Sequence, residues 1–303
     1  MQSEGGIGKM EVDSTGSLIM KSNAPRMQMI DSLIAFVREV NELLQKEIDL
    51  SPANQRVTAI IKRLSLQLRS YYLPEEIQAV LGHEYIRVHH QKLRDKLSEA
   101  EFLAELGDSR NFDKTEGTVW DIAARLPSWN TYMALVSEEL SSLRRLTGKS
   151  GHLEKWPFVF VGSGPLPLSA IILHLLGDVE VVCLEMDPVA YEASCSLLER
   201  LGLEEKVTVV LVNGSAFDYL SYRRIFVASL VRNKRDVLEQ ISRTSPDALV
   251  AVRTAEGMKQ IMYEAIDESQ LTKQGWRILG RTLPEQSLVI NSTLFLARAA
   301  AAD

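Results

Sequence analysis

Val159-Phe160-Val161-Gly162-Ser163-Gly164-Pro165-Leu166-Pro167-Leu168-Ser169 decides the fold. An apolar, β-branched and aromatic run breaks into a glycine turn and then resumes with helical spacing. This is how a strand of an open parallel sheet hands over to its crossover helix. Gly162 and Gly164 let the backbone bend tightly and approach a ligand with no Cβ between them. Pro165 and Pro167 remove two amide donors, and proline stands at 167 where a dinucleotide fingerprint carries its third glycine. The turn is a poor cradle for a pyrophosphate.

The texture on either side supports the strand reading. Downstream, residues 179–184, 207–212, 225–230 and 248–252 are further strand-like runs, with helical stretches at 188–201 and 233–243 between them. Strands alternating with helices imply right-handed crossovers and a mainly parallel sheet. Residues 276–280 and 288–297 are placed to close one edge. Residues 151–303 are therefore predicted to form an α/β domain, a Rossmann-like parallel sheet. Upstream, residues 27–150 read as an all-helical lid and acceptor-binding domain. Ile30, Leu33, Ile34, Val37, Val40, Leu44 and Ile48 fall on one stripe over 27–49. Ser51-Pro52 is expected to open a second helix, Pro74 a third running from 75 to 106, and Pro127 a last one over 129–146. Residues 1–26 are read as a mobile tail.

Composition narrows the function classes. The chain has 303 residues, enough for two modest domains, and a formal charge of −6, which argues against non-specific nucleic-acid binding. Its longest apolar runs are far short of the roughly 20 residues a membrane span needs. Cys183 and Cys195 read as buried thiols, with neither a disulfide framework nor a CxxC pair, and no secretory leader is seen. The expected location is the cytoplasm.

A proline-broken glycine turn favours a nucleoside that has no phosphate, S-adenosylmethionine (SAM), over NAD or FAD, so the Rossmann-like sheet is predicted to be of the SAM-dependent methyltransferase type. Gly162, Ser163, Gly164 and Pro165 would bind it. About 20 residues on, the second strand ends in Glu185-Met186-Asp187-Pro188, where an acidic side chain accepts both ribose hydroxyls. Glu185 is the first candidate and Asp187 the second, Asp187 being equally suited to cap the helix that starts at Pro188. The third strand ends in Asn213-Gly214-Ser215-Ala216-Phe217. Ser215 could meet the adenine amine, and Ala216 and Phe217 could wall the ring. Ala228-Ser229-Leu230-Val231 ends the fourth strand beside the expected sulfonium, which makes Ala228 and Leu230 lining candidates. Arg253 leaves the fifth strand at its carboxyl end and could hold a substrate carboxylate bidentately, or form an interdomain ion pair. His83, His89 and His90 lack HExxH spacing and any thiolate partner, so no metal site is predicted. His83 could instead be an acceptor contact. Tyr72, beside Tyr71, packs in the core or lines an acceptor cleft. Arg232, Lys234 and Arg235 read as a solvated helix start.

Phe160 through Leu168 resembles the signature of nicotianamine synthases and their bacterial relatives of the staphylopine and pseudopaline type. Ala228-Ser229-Leu230-Val231 resembles the family's A-x-L-V segment, and Val252-Arg253-Thr254-Ala255-Glu256-Gly257 its V-R-S-A-x-G segment. Tyr263 with Asp267, Val289-Ile290-Asn291-Ser292 followed by Ala297-Arg298, and Pro127-Ser128-Trp129-Asn130-Thr131-Tyr132 are similar to three further stretches. Ser128 and Trp129 depart from the usual tyrosines, and Arg232 stands where glycine is usual.

The resemblance implies transfer of the aminobutyrate arm of SAM, not its methyl group, to the amine of an amino acid, with methylthioadenosine released. Histidine is the expected acceptor, in the biosynthesis of an opine metallophore. It also implies a downstream opine-type dehydrogenase as pathway partner, and leaves open nicotianamine synthesis proper and a homodimer. An ordinary small-molecule methyltransferase and a catalytically silent SAM-binding regulator are the competing readings. Whichever carbon sits about 3 Å from the nucleophile, in line with the leaving sulfur, reacts. An α-amine must first lose a proton. By the resemblance, Glu84 would be the general base and Tyr132 its hydrogen-bond partner.

Overall fold

The computed structural model describes residues 10–12, 18–20, 24–113, 116–148, 156–283 and 289–299. Inside the predicted tail, β1 (Met10–Val12) pairs antiparallel with β2 (Leu18–Met20), and the rest of 1–23 lies outside the described residues.

The helical half begins with α1 (Ala24–Lys46). Its stripe from Leu33 to Leu44 is buried as expected, but Ile48 lies beyond the helix end and is 99% exposed. α2 (Gln55–Leu68) is capped by Asn54, whose side chain accepts from the amides of Arg56 and Val57. The cap predicted at Ser51 is thus three residues early, because Asn54 Oδ1 is the acceptor that satisfies the first-turn N–H groups. The helix predicted over 75–106 is two helices, α3 (Pro74–Gly82) and α4 (Glu84–Arg110). His83 adopts an extended φ/ψ between them, and its ring accepts from the Tyr85 amide. α5 (Val119–Ala123) and α6 (Trp129–Thr147) follow.

Beyond residue 156 the elements alternate. β3 (Phe158–Val161), α7 (Leu168–Gly177), β4 (Val181–Glu185), α8 (Pro188–Leu201), β5 (Val207–Leu211), β6 (Arg224–Val227), α9 (Lys234–Thr244) and β7 (Leu249–Thr254) lead to α10 (Glu268–Lys273), β8 (Trp276–Arg281) and β9 (Ser292–Arg298). They build one seven-stranded sheet in the order β5-β4-β3-β6-β7-β9-β8. Its first five strands in that order are parallel, and β9 runs antiparallel to both β7 and β8. β3 is central, and all four of its residues are buried, which explains why it reads as a continuous apolar run.

Three apolar clusters hold the chain together. Phe158, Phe160, Cys183, Phe226 and Phe295 pack one sheet face against α5, α6, α7 and α8. Val159, Val161, Ile225, Val250 and Leu294 pack the other against α9 and α10. A third cluster joins α1 to α4 with Met258, Ile261 and Met262 from the segment after β7. By packing, α5 and α6 side with the sheet, whereas α1 to α4 form a layer anchored on that segment and, through the carboxyl end of α4, on α8. The boundary predicted at 150/151 lies outside the described residues. Truncating a fully buried leucine such as Leu64 or Leu140 to alanine costs roughly 2–5 kcal/mol. Among the described residues no helix is long and apolar enough to cross a membrane.

Candidate active site

A cavity of about 1290 Å³ lies over the carboxyl ends of β3, β4, β6 and β7, between the sheet and α2, α4 and the start of α6. This is where an open α/β sheet binds its ligand. It exceeds the roughly 300–1,000 Å³ of a pocket for one drug-sized ligand, so two small molecules can meet in it.

The sheet side is built by the glycine turn. Gly162 and Gly164 have φ of +77° and +69°. A Cβ at Gly162 would lie 2.5 Å from Val231 Cγ2, and one at Gly164 would lie 3.0 Å from Glu105 Oε2. The turn is held by Glu185. Its Oε2 accepts from the Gly164 amide at 2.8 Å, and its Oε1 accepts from the amides of Met186 and Asp187 at 2.8 and 2.9 Å. Asp187 caps α8, accepting from Val189 N and Ala190 N, so its carboxylate already serves the helix. Gly162 through Pro165, Glu185, Met186 and Asp187 all line the cavity, as do Ala228 and Leu230.

The adenine-side expectation fares differently. Neither Ser215 nor Ala216 lines the cavity. The Ser215 hydroxyl donates to Asn213 Oδ1 at 3.0 Å, and Asn213 itself reaches the cavity wall. Lys234, read from sequence as solvated, is buried. Its Nζ donates to the carbonyls of Ser229 and Val231 at 2.6 and 2.9 Å, tying down the wall after β6. Burial pulls that ammonium down to about 8.

The helical side presents carboxylates. Glu101, Glu105 and Asp108 stand at i, i+4 and i+7 on α4 and line the cavity together. Tyr132 donates from its hydroxyl to Glu105 Oε1 at 3.1 Å, and Tyr263 donates to Glu101 Oε2 at 2.9 Å. Burial, reinforced by the neighbouring Glu101, raises the Glu105 carboxyl to about 8. Burial raises Glu101 and Asp108 as well. Tyr132 is held well above its ordinary value by the charge of Glu105 and by burial. Such a carboxyl is poised to exchange a proton near neutral pH.

Glu84 is not part of this arrangement. It is exposed in the first turn of α4, and the 21 residues separating it from Glu105 correspond to roughly 30 Å of helix. His83 lines a different, surface cleft with Arg38 and Glu42. Tyr72 is buried in the helical core, its hydroxyl donating to the Gln67 carbonyl at 3.0 Å, and is not a wall of the cavity. Arg253 does line the cavity, but its fork is engaged: Nε and Nη2 donate to the two oxygens of buried Glu139 on α6 at 2.9 and 3.0 Å. Thr293 donates to the same Glu139 Oε1 at 2.6 Å. Arg253 therefore pins α6 to β7, and its charge is matched within the protein.

The sequence model of the family described as "Nicotianamine synthase protein" matches residues 26–302. The chain belongs to the nicotianamine synthase family. Among curated relatives it is 29% identical over 143 residues to an L-histidine 2-aminobutanoyltransferase of Pseudomonas aeruginosa, covering 46% of this chain and 52% of that protein. It is 28% identical over 192 residues to nicotianamine synthase 3 of Oryza sativa subsp. indica, covering 57% of this chain and 53% of that one. The chain thus spans about half the length of the curated relatives it matches. A crystal structure of MtNAS in complex with MTA and tNA superposes with a TM-score of 0.74 at 21% identity, covering 91% of this chain and 98% of that one. A mutant of MtNAS in complex with S-adenosylmethionine gives 0.73 at 20% identity, covering 88% and 98%. These likenesses establish the α/β fold with its helical amino-terminal layer.

In this member of the nicotianamine synthase family the carboxylates facing the glycine turn are the ones that sequence reasoning passed over. Glu101, Glu105 and Asp108 sit in Glu101-Phe102-Leu103-Ala104-Glu105-Leu106-Gly107-Asp108, which reads as an ordinary amphipathic helix. The available signal was an acidic stripe at 3–4 residue spacing beside the apolar stripe of Leu93, Leu97 and Ala100.

Proposed function

We propose that the chain transfers the 3-amino-3-carboxypropyl arm of SAM to the amine of an amino acid, with histidine as acceptor, and releases methylthioadenosine. The product class is an opine metallophore of the nicotianamine kind. One observation carries this reading: the Glu105–Tyr132 pair faces the glycine turn across a single cavity large enough for SAM and an acceptor. The relatives' names, an L-histidine 2-aminobutanoyltransferase and nicotianamine synthases, agree with it.

The residues present fit SAM. Gly162 and Gly164 form a cradle that a Cβ would fill, and Glu185 fixes it through the Gly164 amide. SAM supplies a sulfonium whose adjacent Cγ is electrophilic. The acceptor nitrogen forms the new N–C bond as the C–S pair returns to sulfur, leaving a neutral thioether. Glu105 takes the proton that the nitrogen sheds, and Tyr132 holds the receiving carboxylate through Oε1. Ala228 through Val231, tethered by Lys234, close the wall beside the glycine turn. Arg253, paired with Glu139, keeps α6 and hence Tyr132 in register with the sheet.

Incubation with SAM and each of L-histidine, D-histidine and other amino acids, followed by mass spectrometry, tests the reading. Methylthioadenosine with an adduct carrying one added aminobutyrate unit supports it. S-adenosylhomocysteine with a methylated acceptor refutes it.

A further inference from the structure

The cavity holds a second carboxylate–tyrosine pair that proton transfer from the acceptor does not use. Glu101 lies one helical turn before Glu105 and accepts from Tyr263 Oη at 2.9 Å. Tyr263 comes from a different element than Tyr132, the segment after the short 3₁₀ turn Gly257–Ile261. Asn291 lines the same cavity, and its buried Oδ1 has no hydrogen-bond partner among the described residues. It follows Ile290, which packs in the same apolar cluster as Tyr263. A carboxylate and an orphaned carboxamide oxygen are both acceptors, and together they describe a receptor for a group rich in N–H.

The direction of α4 says which group. Its carboxyl end abuts α8: Ser109 Oγ donates to the Ala193 carbonyl, and Arg200 donates to the Ser109 carbonyl at 2.6 Å. That is the Glu185 side, where the nucleoside belongs. The amino end of the helix runs toward the segment after β7, where Arg94 Nε donates to the Gln260 carbonyl at 3.0 Å. Going from the nucleoside end along α4, one meets Asp108, then Glu105, then Glu101. A four-carbon arm leaving the sulfonium passes Glu105 and ends at Glu101.

The spacing agrees. With the acceptor nitrogen at Glu105, the attacked Cγ lies about 3 Å away. The arm's α-nitrogen is three bonds beyond Cγ, at most roughly 3.9 Å on by standard bond lengths. Because the substituents of Cγ lie across the line of attack, the two nitrogens fall roughly 5 Å apart. Residues at i and i+4 on a helix are separated by roughly 5–6 Å.

We propose that Glu101, oriented by Tyr263 and assisted by Asn291, binds the α-ammonium of the transferred arm and thereby selects Cγ rather than the methyl for attack. This rests on the aminobutyl-transfer reading above. Burial raises the Glu101 carboxyl, and an ammonium seated beside it offsets that cost of carrying charge.

Isothermal titration of SAM and of methylthioadenosine, which lacks the arm, into wild type, E101Q and Y263F tests the assignment without turnover. E101Q is expected to weaken SAM at least tenfold and to leave methylthioadenosine within twofold of wild type. Y263F is expected to weaken SAM alone, by about threefold or more. Wild-type SAM affinity in E101Q overturns the proposal, as does an equal loss for both ligands. If E101Q does not fold, Y263F decides by the same comparison. The transfer reading fails separately, if wild type converts SAM to S-adenosylhomocysteine.

Discussion

The hydroxyl of Tyr132 on α6 donates 3.1 Å to Oε1 of Glu105 on α4, while a Cβ built at Gly164 would meet the other oxygen, Oε2, at 3.0 Å. A single carboxylate therefore joins the helical layer to the glycine turn of the sheet. The carboxylate and the turn are close enough that a side chain added at Gly164 would press on Glu105. On the proposed function, E105Q should lower turnover by roughly 10²-fold or more with little change in SAM affinity, since a glutamine accepts no proton. Y132F should cost less, because the carboxylate remains. E84Q should stay within twofold of wild type. Steady-state rates with the three variants check this, and a slow E84Q together with an unimpaired E105Q would reverse the assignment.

Glu105 also sets a stability–pH relation for the ligand-free protein. Its carboxyl rises from an ordinary 4.5 to about 8 on folding. Between those values the folded state holds a proton that the unfolded chain has released, so stability falls as pH rises through that window. The slope from this group is at most about 1.4 kcal/mol per pH unit. E105Q removes it. Melting temperatures of wild type and E105Q should therefore diverge from pH 5 to pH 8, with the variant relatively more stable at the alkaline end. Parallel curves would mean that the carboxyl titrates at its ordinary value. In catalysis the same group should make kcat/KM rise with pH and level off above about 8, a dependence that E105Q should lose.

How far the sequence could be read follows from the range of each signal. β3 was legible as an element and α8 to the residue, since a strand buried on both faces and a helix opening at Asp187-Pro188 are local facts. The glycine turn was legible because glycine adopts the φ of +77° and +69° found there without steric cost. The break at His83 was not, because it depends on a ring nitrogen accepting from the Tyr85 amide, a job no propensity assigns to histidine. Glu105 stayed hidden for a different reason. What distinguishes it from any solvated helix glutamate is Tyr132, 27 residues away, and Gly164, further still. Arg253 was seen, but its partner Glu139 lies 114 residues distant. Contacts across layers determine such roles, and a single sequence does not print them.

The Arg253–Glu139 pair yields a prediction about stability. Both side chains are buried, at 5% and 0% exposure. Removing one partner strands the other charge in a medium that solvates it poorly, which costs roughly 3–5 kcal/mol. E139M and R253M should each unfold at markedly lower denaturant concentration. The double variant R253M/E139M should recover part of the loss, because no charge is then left unpaired. Chemical denaturation of the four proteins gives the coupling energy directly, and additive losses would contradict a direct interaction.

The glycine turn separates folding from catalysis by position. Alanine at Gly162 must adopt a positive φ and place Cβ 2.5 Å from Val231 Cγ2, so the wall after β6 has to move. That should cost roughly 1–3 kcal/mol of stability and weaken SAM binding. Alanine at Gly164 meets the same backbone strain, but its new methyl group presses on Glu105 Oε2 at 3.0 Å, an atom at the end of a side chain that can swing. Its swing breaks the alignment with Tyr132. G164A should therefore resemble G162A in stability but lose more in kcat, and its rate should depend on pH differently from wild type, because the displaced carboxyl is better solvated and titrates lower. Denaturation midpoints and pH–rate profiles of both variants, measured side by side, distinguish the two effects. A G164A enzyme with wild-type kcat and an unshifted profile would show that Glu105 does not depend on the turn it touches.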